Sequence, residues 1–452
     1  MRFPLILLLL LPLSLLRAQT LPTDGPLTID TALQALASRL LEGKQGSIIA
    51  LEPQTGKVLC LVSSSTYTDT TDRAIGMAYS PGSTFKTAQA LTLLSLGTLS
   101  AETQYACHKG FWTDNIHIGC HEHRSPQSLR GALSVSCNSY FCKAFKYFVD
   151  HPGKFSSRYA AINRWHAYMA SMGLGQSLGI DLPGEAGGFI PDSAYLRHAY
   201  HGRWNGATIM WVGMGQGEVK LTPLQLCNLC ASIANRGYWY TPHIHQPTPG
   251  HPLDSKYTVR HRCLPSPKAY QVVIDGMRGA VTYGTAKSIK DTRFTICGKT
   301  GTAENTGEDH SIFMGFAPMT SPRIAVSVYI ENGGFGADLA APIAALLIEQ
   351  YLTGTLLPRS EHKVRQWENY IVLPYPEETI LDDKQDDLSA SPTSAKAAAA
   401  KSSTVKPAGT SANVKGKAST RAAVRHQGKV SGKSAHKSAL PAARRKSVPS
   451  RK

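Results

Sequence analysis

Three short groups of polar residues have the types and spacing for acyl transfer. In Ser83-Thr84-Phe85-Lys86 a hydroxyl and an amine stand three positions apart, so on a helix they share one face and come within hydrogen-bonding reach. A serine is a weak nucleophile until a base takes its proton, and a neutral lysine is such a base. Ser136-Cys137-Asn138 projects a hydroxyl and a carboxamide from one loop or helix turn. Lys299-Thr300-Gly301-Thr302-Ala303-Glu304 offers a lysine and two threonines to a carboxylate, with a glycine that lets a substrate backbone approach. Each pattern is cheap alone: Ser403 to Lys406, Ser434 to Lys437 and Ser411 to Asn413 repeat the first two in a Ser/Lys-rich tail. Their weight lies in their order, once each ahead of that tail.

A fourth group is soft. Cys107, Cys120-His121-Glu122-His123 and Cys137 flank the second motif. One reading is a tetrahedral zinc held by Cys107, Cys120, His123 and Cys137, with His121 as the alternative nitrogen ligand. The other is a Cys107–Cys120 disulfide with solvated histidines. Cys227 and Cys230 sit in an apolar helical pattern and read as packing residues, and Cys60, Cys142, Cys263 and Cys297 as small buried or neutral ones.

The elements that must position these groups follow from periodicity. Asp30 to Glu42 has helical spacing, and Gly46 to Val62 reads as two strands joined by a Pro/Gly turn. Pro81-Gly82 breaks the chain ahead of a buried helix predicted over Thr84 to Leu96, which places Ser83 at a helix start, where negative charge is stabilised. Residues 126–150 and 221–236 read as helical; Phe294 to Cys297, Ser311 to Ala317 and Ile324 to Ile330 read as strands; a last helix follows from about Leu339 to Tyr351. Helices between an early hairpin and late antiparallel strands imply an α/β or α+β sandwich around one sheet.

The chain of 452 residues carries a net charge of +17, which resembles a nucleic-acid signature until it is mapped. From Leu388 to Lys452 there are 15 Lys and Arg and no Asp or Glu, leaving 33 basic against 31 acidic residues before it. The folded part is nearly neutral and no nucleic acid is expected. The tail, 388–452, is rich in Lys, Ala and Ser without aromatics, and its composition reads as disordered. At the other end, Arg2 precedes the leucine-rich run Leu5 to Leu16 and then Arg17-Ala18-Gln19. That layout reads as a signal peptide over 1–18, or as an uncleaved anchor, and implies export to the periplasm or cell envelope.

Taken in order, the motifs resemble the penicillin-recognising serine enzymes. Tyr79-Ser-Pro-Gly-Ser-Thr-Phe-Lys86, Gly179-Ile-Asp-Leu-Pro-Gly-Glu185, Gly215-Gln-Gly217 with Thr222-Pro-Leu-Gln225, Ala234-Asn-Arg-Gly237, Gly284-Thr-Ala286 and Gly315-Phe-Ala-Pro318 narrow the likeness. The chain resembles the transpeptidase domain of class B penicillin-binding proteins, most of all the elongation-type penicillin-binding protein 2. The resemblance implies a five-stranded antiparallel sheet flanked by helices, with the transpeptidase domain at 46–358, a lead-in helix or linker at 19–45 and a C-terminal extension at 359–387. Ile312 stands where the family usually has Trp, and too little chain precedes Ser83 for the family's N-terminal pedestal.

The resemblance also implies roles. The substrate is a peptidoglycan stem peptide ending in D-alanyl-D-alanine, and β-lactams are mimics of it. Ser83 is the nucleophile and Lys86 its base, made neutral by burial beside Lys299; Ser136 relays the proton and Asn138 bonds the substrate amide. The backbone N–H groups of Ser83 and Thr302 meet the oxyanion, while Lys299, Thr300 and Thr302 hold the terminal carboxylate beside Gly301. Some elongation-type relatives carry zinc in the Cys/His region; none is required for the acyl transfer itself. A glycosyltransferase of the elongation machinery is the implied protein partner, and the tail is either a tether to wall or anionic lipid or a solvated segment. The alternatives are a D,D-carboxypeptidase or serine β-lactamase, which hand the acyl group to water, and a non-catalytic wall-binding scaffold.

Overall fold

A computed structural model describes residues 17–18, 25–65 and 70–372. The leucine-rich leader as far as Leu16 and the basic tail lie outside the described residues, so the readings of export and tethering do too.

Five strands build the central sheet. β1 (Gly46–Leu51) and β2 (Val58–Ser65) form the early hairpin; β3 (Cys297–Ala303), β4 (His310–Ala317) and β5 (Ile324–Ile330) come late in the chain. Their order is β2-β1-β5-β4-β3, antiparallel throughout, with a two-residue pairing of Arg17–Ala18 on the β2 edge. β3, which carries the Lys-Thr-Gly triplet, is therefore the opposite edge.

The inner strands are buried on both faces, which is why Gly46–Leu51 and Ile324–Ile330 read as near-continuous apolar runs. The two-residue period sorts them into two cores. Ile48, Ala50, Val326 and Val328 meet α1 (Thr31–Leu41) and the late helix Ala340–Thr353. Ile49, Leu51, Ala325 and Tyr329 face the larger helical layer. Asp30 caps α1 by accepting the Leu33 N–H at 2.9 Å. On the other face the helix Pro223–Ala234, closed by a Thr222/Gln225 capping box, is buried along its whole length and lays Cys227 and Cys230 against the sheet.

Three boundaries differ from the sequence reading, each at the site. The strand foreseen over Phe294 to Cys297 begins only at Cys297 and runs on through Lys299-Thr300-Gly301, which pair with Met314, Phe313 and Ile312. Glycines and threonines carry little apolar signal, so pairing with β4 rather than local pattern makes this strand. The helix over 126–150 is two helices, α3 (Leu129–Ser134) and α4 (Asn138–Asp150), with Ser136 at φ +58° between them. Ser83 sits in a 3-10 turn, Gly82–Phe85, ahead of α2 (Lys86–Ser95).

Candidate active site

The Gly82–Phe85 turn is wedged between the edge strand and a loop. Gly82 donates its N–H to the Gly215 carbonyl at 2.9 Å. At φ +53°, a Cβ on Gly82 would lie 2.5 Å from the Thr302 carbonyl oxygen, so only glycine fits. Ser83 follows, half-buried, and Lys86 closes the turn by donating its backbone N–H to the Ser83 carbonyl.

Lys86 is wholly buried. Its Nζ donates to the Ser136 carbonyl at 2.8 Å, to Asn138 Oδ1 at 2.6 Å and to Ser136 Oγ at 3.3 Å. Burial pulls its pKa from 10.5 down to about 8, against a smaller opposing pull from nearby cysteines. Lys299, equally buried, donates to Ser136 Oγ at 2.8 Å and to the Thr300 carbonyl at 2.8 Å. Its pKa is pushed far down by burial first and by the Lys86 charge second. Burial is the leading cause for both amines, and the repulsion between two buried cations disfavours having both charged at once.

The alternation of β3 divides its residues. Lys299 and Gly301 point inward, while Thr300 and Thr302 line a cleft of about 730 Å³ together with Ser83, Ser136 and Asn138. Lys299 therefore stands behind Ser136 instead of on the cleft wall. Gly301 has a different duty from the substrate access expected of it. A Cβ there would meet Thr84 Cγ2 at 2.9 Å and the Pro81 carbonyl at 3.1 Å, so the glycine lets the strand lie on the Gly82–Phe85 turn.

Asn138 is fixed at both ends of its carboxamide. Oδ1 accepts from Lys86, and Nδ2 donates to the Gly119 carbonyl at 3.1 Å. Thr285, in the Gly284-Thr-Ala286 motif that carried no assigned role, shares a 2.7 Å hydroxyl hydrogen bond with Thr300 and lines the same cleft. Trp211, Gln216, Glu304, Asp309 and Phe335 also line it, a grouping that no spacing in the chain reveals.

Ligand atoms of Cys107, Cys120, His123 and Cys137 all lie within 4.8 Å of one another. Tetrahedral zinc, with bonds of roughly 2.0–2.3 Å, holds its ligand atoms about 3.3–3.8 Å apart, and the Cys120 Sγ to His123 Nε2 separation is 3.6 Å. His123 Nδ1 lies 2.8 Å from the Arg124 carbonyl, which can only accept; Nδ1 therefore carries the proton and Nε2 keeps its lone pair. Three donors face the sulfurs: Asn138 N–H to Cys120, Tyr140 N–H to Cys137 and Ser139 Oγ to Cys107. A hydrogen bond between Cys120 and Cys137 pulls the Cys120 thiol pKa down and, with burial, pushes that of Cys137 up. His121 stands outside the group, its Nδ1 3.9 Å from Cys120 Sγ. All nine cysteines, each among the described residues, are free thiols, which removes the Cys107–Cys120 disulfide.

With this geometry in place the family is decided by one match: residues 46–349, well over half of the chain, fit the penicillin binding protein transpeptidase domain. The chain belongs to the penicillin-binding protein transpeptidase family. Among curated family members, the peptidoglycan D,D-transpeptidase MrdA of Acinetobacter baumannii is 29% identical over 381 residues, covering 71% of this chain and 54% of the relative. The chain thus spans about half the length of that relative. Among solved structures of the family, Pseudomonas aeruginosa PBP2 in complex with WCK 5153 superposes with a TM-score of 0.64 at 29% identity, over 74% of this chain and 77% of that one. The penicillin G acyl-enzyme of Mycobacterium tuberculosis penicillin-binding protein A superposes at 0.57 with 28% identity, over 72% and 80% of the two chains. The five-stranded antiparallel sheet flanked by helices is the fold these relatives share with the chain.

Proposed function

We propose that this protein is a peptidoglycan D,D-transpeptidase that cross-links stem peptides through an acyl-enzyme on Ser83 and is a target of β-lactams. One observation carries the reading: two buried lysines converge on the hydroxyl of Ser136, which lines the same cleft as Ser83, Thr300 and Thr302.

Lys86 with a pKa near 8 is partly neutral at physiological pH and takes the Ser83 proton. Ser83 Oγ attacks the carbonyl of the penultimate D-alanine. The backbone N–H groups of Ser83 and Thr302 meet the oxyanion, each donor of such a pair being worth about 3 kcal/mol. The proton passes through Ser136 Oγ to the departing D-alanine nitrogen as the C–N bond breaks. Since Lys86 occupies Oδ1 of Asn138, the side chain has only its NH₂ to offer a substrate carbonyl. The hydroxyls of Thr300, Thr302 and Thr285 receive the terminal carboxylate. An amine of a second stem then attacks the ester, releasing Ser83.

Cys107, Cys120, His123 and Cys137 are proposed to hold one zinc ion. With four protein ligands such a site is closed, and its role is to stiffen the loop that presents Asn138. Supply of glycan strands to cross-link calls for a glycosyltransferase partner, and the leader and tail motivate a cell-envelope location. Among the described residues no helix is long and apolar enough to cross a membrane.

The test is labelled penicillin: it attaches to the wild-type protein and not to Ser83→Ala. Equal labelling of both would refute the assignment. Release of penicilloate at many turnovers per minute would instead favour a hydrolase.

A further inference from the structure

The hairpin beside the cleft, Gly110–Thr113 paired with Ile116–Gly119, has two unlike faces. Phe111, Ile116 and Ile118 form one face and pack on Cys142, Met210 and Met214. The other face carries two opposed pairs, Trp112 with His117 and Gly110 with Gly119. Trp112 is 71% exposed, the most of any large apolar side chain among the described residues. It is nonetheless fixed, stacked on the His117 ring at 4.6 Å between centroids. The turn adds stiffness: Asp114 and Asn115 both have positive φ, 47° and 63°, the two-residue geometry that matches strand twist.

This face is continuous with the cleft. His117 and Gly119 both line it, and the Gly119 carbonyl holds Asn138. A Cβ at Gly119 would meet nothing within 4 Å, so the backbone there is an open floor between the reacting serine and the aromatic step. Two residue steps along the strand lead from Gly119 to His117, about 7 Å. An extended stem peptide, at about 3.4 Å per residue, spans that gap with residues to spare.

We propose that Trp112, on its His117 support, is a carbohydrate subsite that receives the pyranose face of an N-acetylated aminosugar in the glycan strand whose stem peptide enters the cleft. This rests on the transpeptidase reading. The C–H bonds of a pyranose face carry partial positive charge and meet the negative face of the indole. The platform is one ring wide, the size of a sugar and far below the roughly 800 Å² per partner of a stable protein interface. The hairpin also carries polar groups, Asp114 at its turn and Lys109 just before its first strand, the latter paired with Glu122 at 3.0 Å, which suit hydroxyl and acetamido groups.

The experiment compares D-alanine release from a bare stem pentapeptide and from the same pentapeptide on its aminosugar disaccharide, using the full chain. The wild-type protein prefers the sugar-bearing substrate by about tenfold in kcat/KM, the reach of one aromatic contact. Trp112→Ala brings the ratio to near unity, and Trp112→Tyr, which keeps a ring, retains most of it. Equal rates on the two substrates in the wild type, or an undiminished preference in Trp112→Ala, overturns the subsite while leaving the transpeptidase reading standing. Release of D-alanine from neither substrate by the wild type overturns that reading and the subsite with it.

Discussion

Lys299 Nζ lies 2.8 Å from Ser136 Oγ, on the side of that hydroxyl away from the cleft. Lys86 Nζ reaches the same oxygen at 3.3 Å. A single hydroxyl thus joins two amines whose pKa values are both depressed by burial, and it is the one member of the trio that touches the cleft.

Removing that hydroxyl breaks the relay. Ser136→Ala deletes an acceptor from both buried lysines and the path to the leaving group. Acylation by penicillin is expected to fall by about 10² to 10⁴-fold, the usual worth of positioned proton transfer. Stopped-flow labelling measures it; a loss under threefold would remove Ser136 from the mechanism.

The pH profile follows from Lys86. Its base form is the competent one and its pKa lies near 8, so acylation rises with pH, reaches half its plateau near pH 8 and levels above. The stability effect has the same direction. An unfolded lysine titrates near 10.5, so the cost of burying the charge is complete below pH 8 and is relieved as pH climbs from 8 toward 10.5. A profile that falls with pH between 6 and 9 would contradict the assignment of Lys86 as base.

Gly301→Ala tests packing rather than chemistry. The added methyl would press on Thr84 and the Pro81 carbonyl at about 3 Å, lifting β3 from the Gly82–Phe85 turn. Overpacking of this kind costs about 1–3 kcal/mol. Urea unfolding should register that loss, and labelling of Ser83 should slow with it.

Thr285→Val keeps shape and removes the hydroxyl bonded to Thr300. The expected result is a roughly tenfold rise in the half-saturating concentration of a carboxylate-bearing β-lactam, as for a lost hydrogen bond to a charged group. The maximal acylation rate should change less. An equal loss in both quantities would place Thr285 in the chemical step.

Chelation tests the cysteine cluster. Purified protein is expected to contain about one zinc per chain, and stripping it should lower the melting temperature by more than about 5 °C. Cys120→Ser should do the same and also slow acylation, since the Asn138 N–H donates to Cys120 Sγ. Metal-free protein with unchanged melting would defeat the zinc proposal.

Much of this was legible in the sequence because it is local. Helix α1, the β1–β2 hairpin and β5 declare themselves by periodicity, and Ser83 and Lys86 stand three positions apart across the joint between the 3-10 turn and α2. What stayed hidden depends on contacts between distant segments. β3 has little apolar signal and exists through its pairing with β4. Gly301 looked like a gap for substrate because its true neighbours, Thr84 and Pro81, are more than 200 positions away. Thr285 gained its place only when strand β3 put Thr300 beside it. At Ser136 the sequence left a loop or a helix turn open, and the left-handed residue that ends α3 carries no apolar period to decide between them.

The run from Ser136 to Tyr140 is committed without a gap. Ser136 serves both lysines, Cys137 caps α4 and joins the thiol cluster, Asn138 anchors Lys86, Ser139 donates to Cys107, and Tyr140 contacts the Cys137 sulfur and the Thr103 carbonyl. Five successive side chains or amides therefore have no latitude for exchange. Under selection by an inhibitor that occupies this cleft, variants that escape it should accumulate elsewhere, on walls such as Trp211, Met214 or Phe335, where a change of shape leaves the machinery whole.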